Sequence, residues 1–329
     1  MSSEALQHVA VVVIGRNEGQ RLIHCFESLL NQTKKIVYVD SGSTDDSVNA
    51  AEALGVEVVT LDMSLPFTAA RARNLGFEKA INTFTDIEYI QFVDGDCQVY
   101  SEWLISALNF LDEHDNVAVV CGRRKEVHPD RSIYNALCDI EWNTPICDAK
   151  ACGGDALMRV NALTDVNGYR EDLIAGEEPE LCVRLRKAGW RIWRLDANMT
   201  KHDANITQFK QWWKRTVRAG YAFAQGASIH GAAPELHWVA ESRRSMIWAG
   251  IIPIIAFVCF FIHPLLGASI LLVYPLQIIR MTLASQLPIK QAFLYSLFLV
   301  VGKFPEQVGQ IKFIWNKWTK KRSRIIEYK

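Results

Sequence analysis

The chain has 329 residues, half of them hydrophobic, with 36 basic and 36 acidic side chains and a formal charge of zero. That length supports a sizeable core and more than one structural unit, and neutrality removes the usual electrostatic ground for a nucleic-acid partner. The average hides an asymmetry: residues 1–245 hold nearly all the acidic groups, residues 246–301 carry Arg280, Lys290 and no other Lys, Arg, Asp or Glu, and the terminal KWTKKRSRIIEYK is basic. This reads as a soluble domain followed by a membrane-associated region.

The eight cysteines form no CxxC pair and mostly sit in apolar company, as expected for a reduced cytosolic protein. In chain order, HVAVVVIG (8–15) is a short, continuous, β-branched run, the pattern of a strand buried on both faces. No basic segment precedes it, so it reads as a first core strand rather than a signal peptide. EGQRLIHCFESLLNQ spaces Leu22, Cys25, Phe26, Leu29 and Leu30 as a helix, and a second strand covers 36–40. Thr44 or Asp45 is placed to cap a helix over 46–54 that stops at Gly55. VEVVTL is a third strand, FTAARARNLGFEKAI a helix, and IEYIQFVD a fourth strand ending at Asp94.

The pattern continues with a helix in EWLISALNFLDEH and a strand in VAVVCGRR. Residues 126–152 read as irregular. GGDALMRVNALTDVNGY gives a short strand and a helix, EEPELCVRLRKAGW a helix stopped by Gly189, and RIWRLDANMTKHD a last strand. ITQFKQWWKRTVRAGYAFAQGAS is a basic, aromatic helix. Alternating strands and helices predict an α/β domain over 1–230, with a mostly parallel sheet and helices on both faces. Ligands in such sheets bind at the carboxyl ends of the strands, where Asp40 and Asp94 stand.

Residues 231–245 read as a hinge. Two apolar stretches follow, 246–262 without charge and 265–284 with Arg280 alone, and His263–Pro264 turns the chain between them. About 20 apolar residues cross a bilayer, so a helical membrane hairpin is expected. Residues 291–315 are interrupted by Lys303, Pro305, Glu306 and Gln307 and read as an interfacial helix. Arg243 and Arg244 before the first span and Lys317 to Arg324 after the last segment favour two crossings, with the domain and the C-terminus on the cytoplasmic side of the inner membrane.

Two acidic features carry the chemistry. In FVDGDCQVY, Asp94 and Asp96 flank Gly95 at a strand end, where both carboxylates can converge on one hard cation, Mg²⁺ or Mn²⁺, with Gln98 as a further oxygen ligand. A turn with solvated aspartates would show the same letters. In VDSGSTDDS, Asp40 is placed to accept from a base or ribose, with Ser41, Gly42 and the next helix N-terminus around polar ligand groups. An ordinary capped turn also fits that segment.

Taken together, VVVIGRNEGQRL, VYVDSGSTDDS, ARARNLGFEKA, FVDGDCQV, GGDALMRVNAL and GEEPELCVRLRKAGWRI, in this order, resemble the family 2 glycosyltransferases of GT-A fold over residues 8–225. The resemblance implies an inverting transfer from a nucleotide-diphosphate sugar with a divalent metal. It puts Asp40 in the nucleotide motif, Asp94 and Asp96 in the DxD motif with Asp96 at the metal, and Gly153, Gly154 and Asp155 at the donor sugar or acceptor. GEEPE stands where the family commonly has an acidic pair whose second member is the general base, which points to Glu178, with Glu177 in reserve.

Arg71, Arg73 and Asn74 are candidates for donor recognition, since Arg offers a fork for phosphate. His202 beside Asp203 is a candidate for the metal or diphosphate. QWWKRTVRAG, with Gln211, Trp212, Arg215 and Arg218, resembles the QxxRW motif of processive synthases but departs from its spacing, which argues against a polymerase; Arg215 remains a donor-binding candidate. The expected partners are a nucleotide sugar, a lipid-linked or glycan acceptor, and a membrane. A nucleotidyltransferase would also use acids, metal and nucleotide, but GRNEGQRL is a poor match to its phosphate loop. A membrane scaffold that binds a nucleotide sugar without turnover is the non-enzymatic alternative.

Overall fold

The computed structural model describes residues 6–320, so the basic stretch from residue 321 onward lies outside the described residues. The chain divides into two compact units, Met1–Asn205 and Ile206–Lys329.

The first unit is a nine-stranded mixed sheet. The apolar, β-branched runs form strands β1 (Val9–Gly15), β2 (Ile36–Asp40), β3 (Glu57–Thr60) and β4 (Tyr89–Asp94). Then come β5 (Cys97–Val99), β6 (Val117–Glu126), β7 (Cys147–Asp148), β8 (Ala156–Arg159) and β9 (Arg191–His202). The order is β3-β2-β1-β4-β8-β6-β9-β5, with β7 beside β9. The first four strands are parallel, β6 and β9 pair in parallel, and β8 runs antiparallel between β4 and β6. Helices α1 (Gln20–Leu30), α2 (Ser47–Ala53), α3 (Ala69–Thr83), α4 (Trp103–Asp112), α5 (Ile133–Glu141), α6 (Val160–Asp165) and α7 (Glu177–Lys187) complete the unit. Leu22, Phe26 and Leu29 from α1 and Leu104, Leu108 and Leu111 from α4 pack into the same core as the strands. Helix α3 comes so close to the sheet that a Cβ on Gly76 would stand 2.3 Å from Val12 Cγ1.

Register sets the rim. Gly15 is level with Asp40 across β1–β2, and Ile14 is level with Asp94 across β1–β4. Phe92 is level with Ala156 across β4–β8, which brings Asp155 to the end of β4 from the antiparallel direction. Three acids separated by up to 115 positions in sequence thus end on one edge of the sheet.

One expectation changes here. Residues 126–152 are not wholly irregular: Ser132 Oγ accepts the Asn135 amide at 3.0 Å and starts α5, which buries Asn135, Leu137 and Cys138. A helix this short, with a polar residue on its buried face, has too weak a period to see in sequence. Strand β4 ends at Asp94, as expected. Gly95 N donates to Ile14 O at 2.8 Å, the chain turns, and Asp96 leads into β5, which pairs with β9.

The second unit is helical: α8 (Phe209–His230), α9 (Val239–Ile262, with a π-turn at Ile247–Ile251), α10 (Pro264–Ala284), α11 (Ile289–Val301) and α12 (Lys303–Trp318). The residues read as a hinge are partly helix, since α9 begins at Val239. The single interfacial segment is two helices that meet at Gly302. Helices α9 and α10 are long and apolar enough to cross a membrane, and only 11% of the most apolar window of each is buried. Phe257, Phe261, Ile262, Leu265, Leu276 and Leu283 remain exposed along them. Helices α8 and α12 cross at glycine, where a Cβ on Gly309 would stand 2.1 Å from Val217 O and one on Gly220 2.0 Å from Glu306 O. Helix α8, expected with the domain over 1–230, groups with this unit.

Candidate active site

The centre of the rim is an ion-pair network. Arg73 on α3 is almost fully buried. Its Nη2 donates to Asp94 Oδ1 at 2.8 Å and its Nη1 to Glu177 Oε1 at 2.8 Å, with Glu178 Oε1 at 3.1 Å from Nη1. Arg124 on β6 pairs with Asp155 at 2.8 Å and stands 3.7 Å from Asp94. Asp155 has no exposed surface; it accepts from Asp94 N at 3.0 Å and Thr200 Oγ1 at 2.7 Å. Burial alone would raise the Asp155 pKa, but Arg124 and these donors outweigh it and hold the carboxyl below its usual range.

Glu177 and Glu178 open α7, where the helix dipole favours acids. Gly176 precedes them at φ 80°, a left-handed backbone that suits glycine. The two differ in environment. The Glu177 side chain is 5% exposed and held by Arg73, whereas that of Glu178 is 14% exposed. Burial first, and then the neighbouring Glu177, push the Glu178 pKa up to about 7 against the pull of Arg73. Gly154 faces this centre: a Cβ there would lie 2.7 Å from Arg73 Nη2, 2.8 Å from Asp94 Oδ2 and 3.1 Å from Glu178 Oε1. The missing side chain leaves the acids reachable. Gly153 lies nearer Arg124.

Next to this network, His202 Nε2 stands 3.2 Å from Asp96 Oδ2. The ligand atoms of Asp96, Cys97 and His202 lie within 4.8 Å of one another, as do those of Asp94, Cys97 and Asp155. Burial raises the Cys97 thiol pKa well above its ordinary value, so it stays protonated and does not serve a hard cation. The carboxylates and the imidazole are the usable donors. They fit a divalent ion: His202 keeps its Nδ1 buried without a hydrogen-bond partner, and in these pairs four carboxylates (Asp94, Asp155, Glu177, Glu178) meet two guanidinium groups while Asp96 meets only the His202 imidazole. Asp94 and Asp96 fall in adjoining groupings that share Cys97. Gln98 is level with Lys201 on β9.

The VDSGSTDDS segment is a closed loop. Asp40 is buried, and its Oδ2 accepts from Gly42 N at 3.0 Å and Ser43 N at 2.9 Å, while Tyr38 OH donates to Oδ1 at 3.0 Å. The carboxylate shapes the turn around buried Ser41 and around Gly42, whose φ is 79°. Asn17 ties the neighbouring loop to it: Asn17 N donates to Ser43 Oγ at 2.9 Å and Thr44 N to Asn17 Oδ1 at 2.7 Å.

Other candidates make contacts within the protein. Arg71 donates to the carbonyls of Asp62, Leu65 and Pro66 and braces the loop after β3. Asn74 clamps the loop before α7, accepting from Tyr169 N at 2.7 Å and donating to Tyr169 O at 2.8 Å. Arg73 points its fork at carboxylates. Arg215 lies on α8, in the second unit. Sequence reasoning missed Arg124, Asn17 and Trp142. The Trp142 ring stacks on His202 with centroids 4.7 Å apart, and the Arg124 guanidinium lies over the Trp142 ring at 5.7 Å from its centroid. The only hint was the aromatic richness of 126–152.

Comparison with known proteins agrees with this architecture. Residues 10–151 match the model of glycosyl transferase family 2. An O-antigen chain rhamnosyltransferase of Salmonella anatum is 23% identical over 56% of this chain and 61% of its own, so the chain spans about three fifths of that relative. A pre-mycofactocin glycosyltransferase of Mycobacterium tuberculosis is 26% identical over 70% of this chain and 49% of its own. A mannosyltransferase from Pyrobaculum calidifontis, solved with GDP-Man and Mn²⁺, is 18% identical, covers 94% of this chain and 88% of its own, and has a TM-score of 0.61, a likeness of fold. With its GT-A-like sheet and its acids gathered on one rim, residues 10–151 form a glycosyl transferase family 2 domain.

Proposed function

We propose that the protein is an inverting glycosyltransferase. It moves a sugar from a nucleotide-diphosphate sugar to a lipid-linked or glycan acceptor at the cytoplasmic face of the inner membrane, in the synthesis of cell-surface polysaccharide or glycolipid. The observation that carries the reading is Glu178: an acid at the open side of the rim, beside Gly154, with its pKa pushed up to about 7. That is where a general base works best near neutral pH.

Inversion is a single displacement at the anomeric carbon. Glu178 takes the proton of the attacking acceptor hydroxyl, and Arg73 holds that carboxylate in place while Glu177 keeps Arg73 balanced. Asp96 and His202, with Asp94, are the residues that would hold Mg²⁺ or Mn²⁺. When bound, the ion supplies the positive charge that stabilises the departing diphosphate. Arg124 orders Asp155 and Asp94 behind that position. The loops closed by Asp40 and Asn17 present backbone groups to the nucleotide, as does the Arg71-braced loop.

The relatives named as O-antigen chain rhamnosyltransferases support a polysaccharide product. Two helices able to cross a membrane support a membrane-bound enzyme. The test is a panel of UDP-, GDP- and dTDP-sugars with Mn²⁺ and the purified chain. Hydrolysis or transfer from one donor, lost in Asp96→Ala, is expected; no turnover of any donor, or full turnover in that variant, contradicts the reading.

A further inference from the structure

The second unit has a cavity of its own, of about 420 Å³, lined among others by Arg244, Trp248, Arg280, Met281, Leu299 and Lys303. Its chemistry is split. Three cations stand over a wall of apolar side chains. Lys303 is neutralised by Glu306 at 2.7 Å, but Arg244 and Arg280 have no acidic partner among the described residues. Arg280 is also the single charge in α10, a helix otherwise apolar enough to cross a membrane. An ionisable residue in such a helix is costly unless it meets a partner, and the described residues supply none.

The placement specifies the partner. Arg244 lies just before the long apolar run of α9 and Arg280 near the end of α10. In a hairpin those two points share one membrane interface, the level of lipid headgroups. We propose that this cavity binds the phosphate or diphosphate end of a lipid, with the two guanidinium forks on the phosphate oxygens and the lipid chain leaving along the apolar wall. This names the acceptor class of the proposed transfer, and it rests on that reading for the membrane setting alone. A purely topological role for these arginines would need no cavity and no fork.

The test uses the full chain in neutral detergent with farnesyl phosphate, farnesol and inorganic phosphate, read by thermal shift and by native mass spectrometry. Farnesyl phosphate should bind and raise the melting temperature, and the other two at equal concentration should not. Arg244→Gln and Arg280→Gln should each weaken binding roughly ten-fold or more. Arg280→Lys, which keeps the charge but not the fork, should weaken it less. Lys290→Gln, an exposed charge outside the cavity lining, should leave binding intact. Equal binding of farnesol shows an apolar site and overturns the proposal, and equal binding of inorganic phosphate shows a site for soluble anions and does the same. Wild-type binding in the Arg244→Gln, Arg280→Gln double variant, or an equal loss in Lys290→Gln, also overturns it. Donor turnover is measured on the same preparation: its absence with farnesyl phosphate binding retained counts against the glycosyltransferase reading and leaves this one standing.

Discussion

Arg73 Nη1 lies 3.1 Å from Glu178 Oε1, and the contact joins the start of α7 to α3 at the rim of the sheet. Arg73 also meets Asp94 and Glu177, so one buried cation holds three acids in register. Burial first, and then the neighbouring Glu177, outweigh its pull on Glu178 and leave that acid with a high proton affinity.

The pH dependence follows. A base with a pKa near 7 must be deprotonated to act, so kcat should rise with pH through about 7 and level off above it. Glu178→Gln should lower kcat about 100-fold or more and remove that rise. If Glu177→Gln shows this loss and Glu178→Gln does not, the base is Glu177.

Stability should move the opposite way. The Glu178 pKa is raised in the folded state, so its contribution is fully present below about pH 4 and lost as pH climbs through 7. Glu178→Gln should therefore be more stable than wild type at pH 8, on the order of 3 kcal/mol at about 1.4 kcal/mol per pKa unit. The gain should vanish near pH 4. Thermal melts at the two pH values measure it.

Gly154→Ala tests the opening beside the acids. The added methyl meets Arg73, Asp94 and Glu178 within 2.7–3.1 Å and has to push ion-paired groups aside. We expect kcat/KM to fall about ten-fold or more, because displacement of reacting groups by fractions of an ångström is costly, while the melting temperature changes by a few degrees. A variant with wild-type kinetics contradicts the placement.

Asp155→Asn separates a supporting role from a binding one. It leaves Arg124 half-paired beside Asp94, and loss of one partner of a buried pair costs roughly 3 kcal/mol. The expected result is a large drop in melting temperature. Unchanged stability with weakened donor binding would return Asp155 to the direct donor contact that its motif implied.

Much of this was readable in the residues. The strand runs at 9–15, 36–40 and 89–94 are continuous and β-branched, so their elements and the parallel order of a GT-A sheet could be seen. The rim positions of Asp40 and Asp94 followed from strands that end in acids. The contacts of Arg73 and Asn74 were not readable, because side-chain partners 95–104 residues away depend on how α3 and the 169–178 segment pack. Arg124 was hidden in the same way: nothing around VAVVCGRR marks which arginine turns inward.

The most direct test compares wild type and Glu178→Gln for donor binding and for sugar transfer, using whichever nucleotide sugar the panel selects. Retained donor affinity with transfer reduced about 100-fold or more is the predicted result. Undiminished transfer in Glu178→Gln would contradict the account.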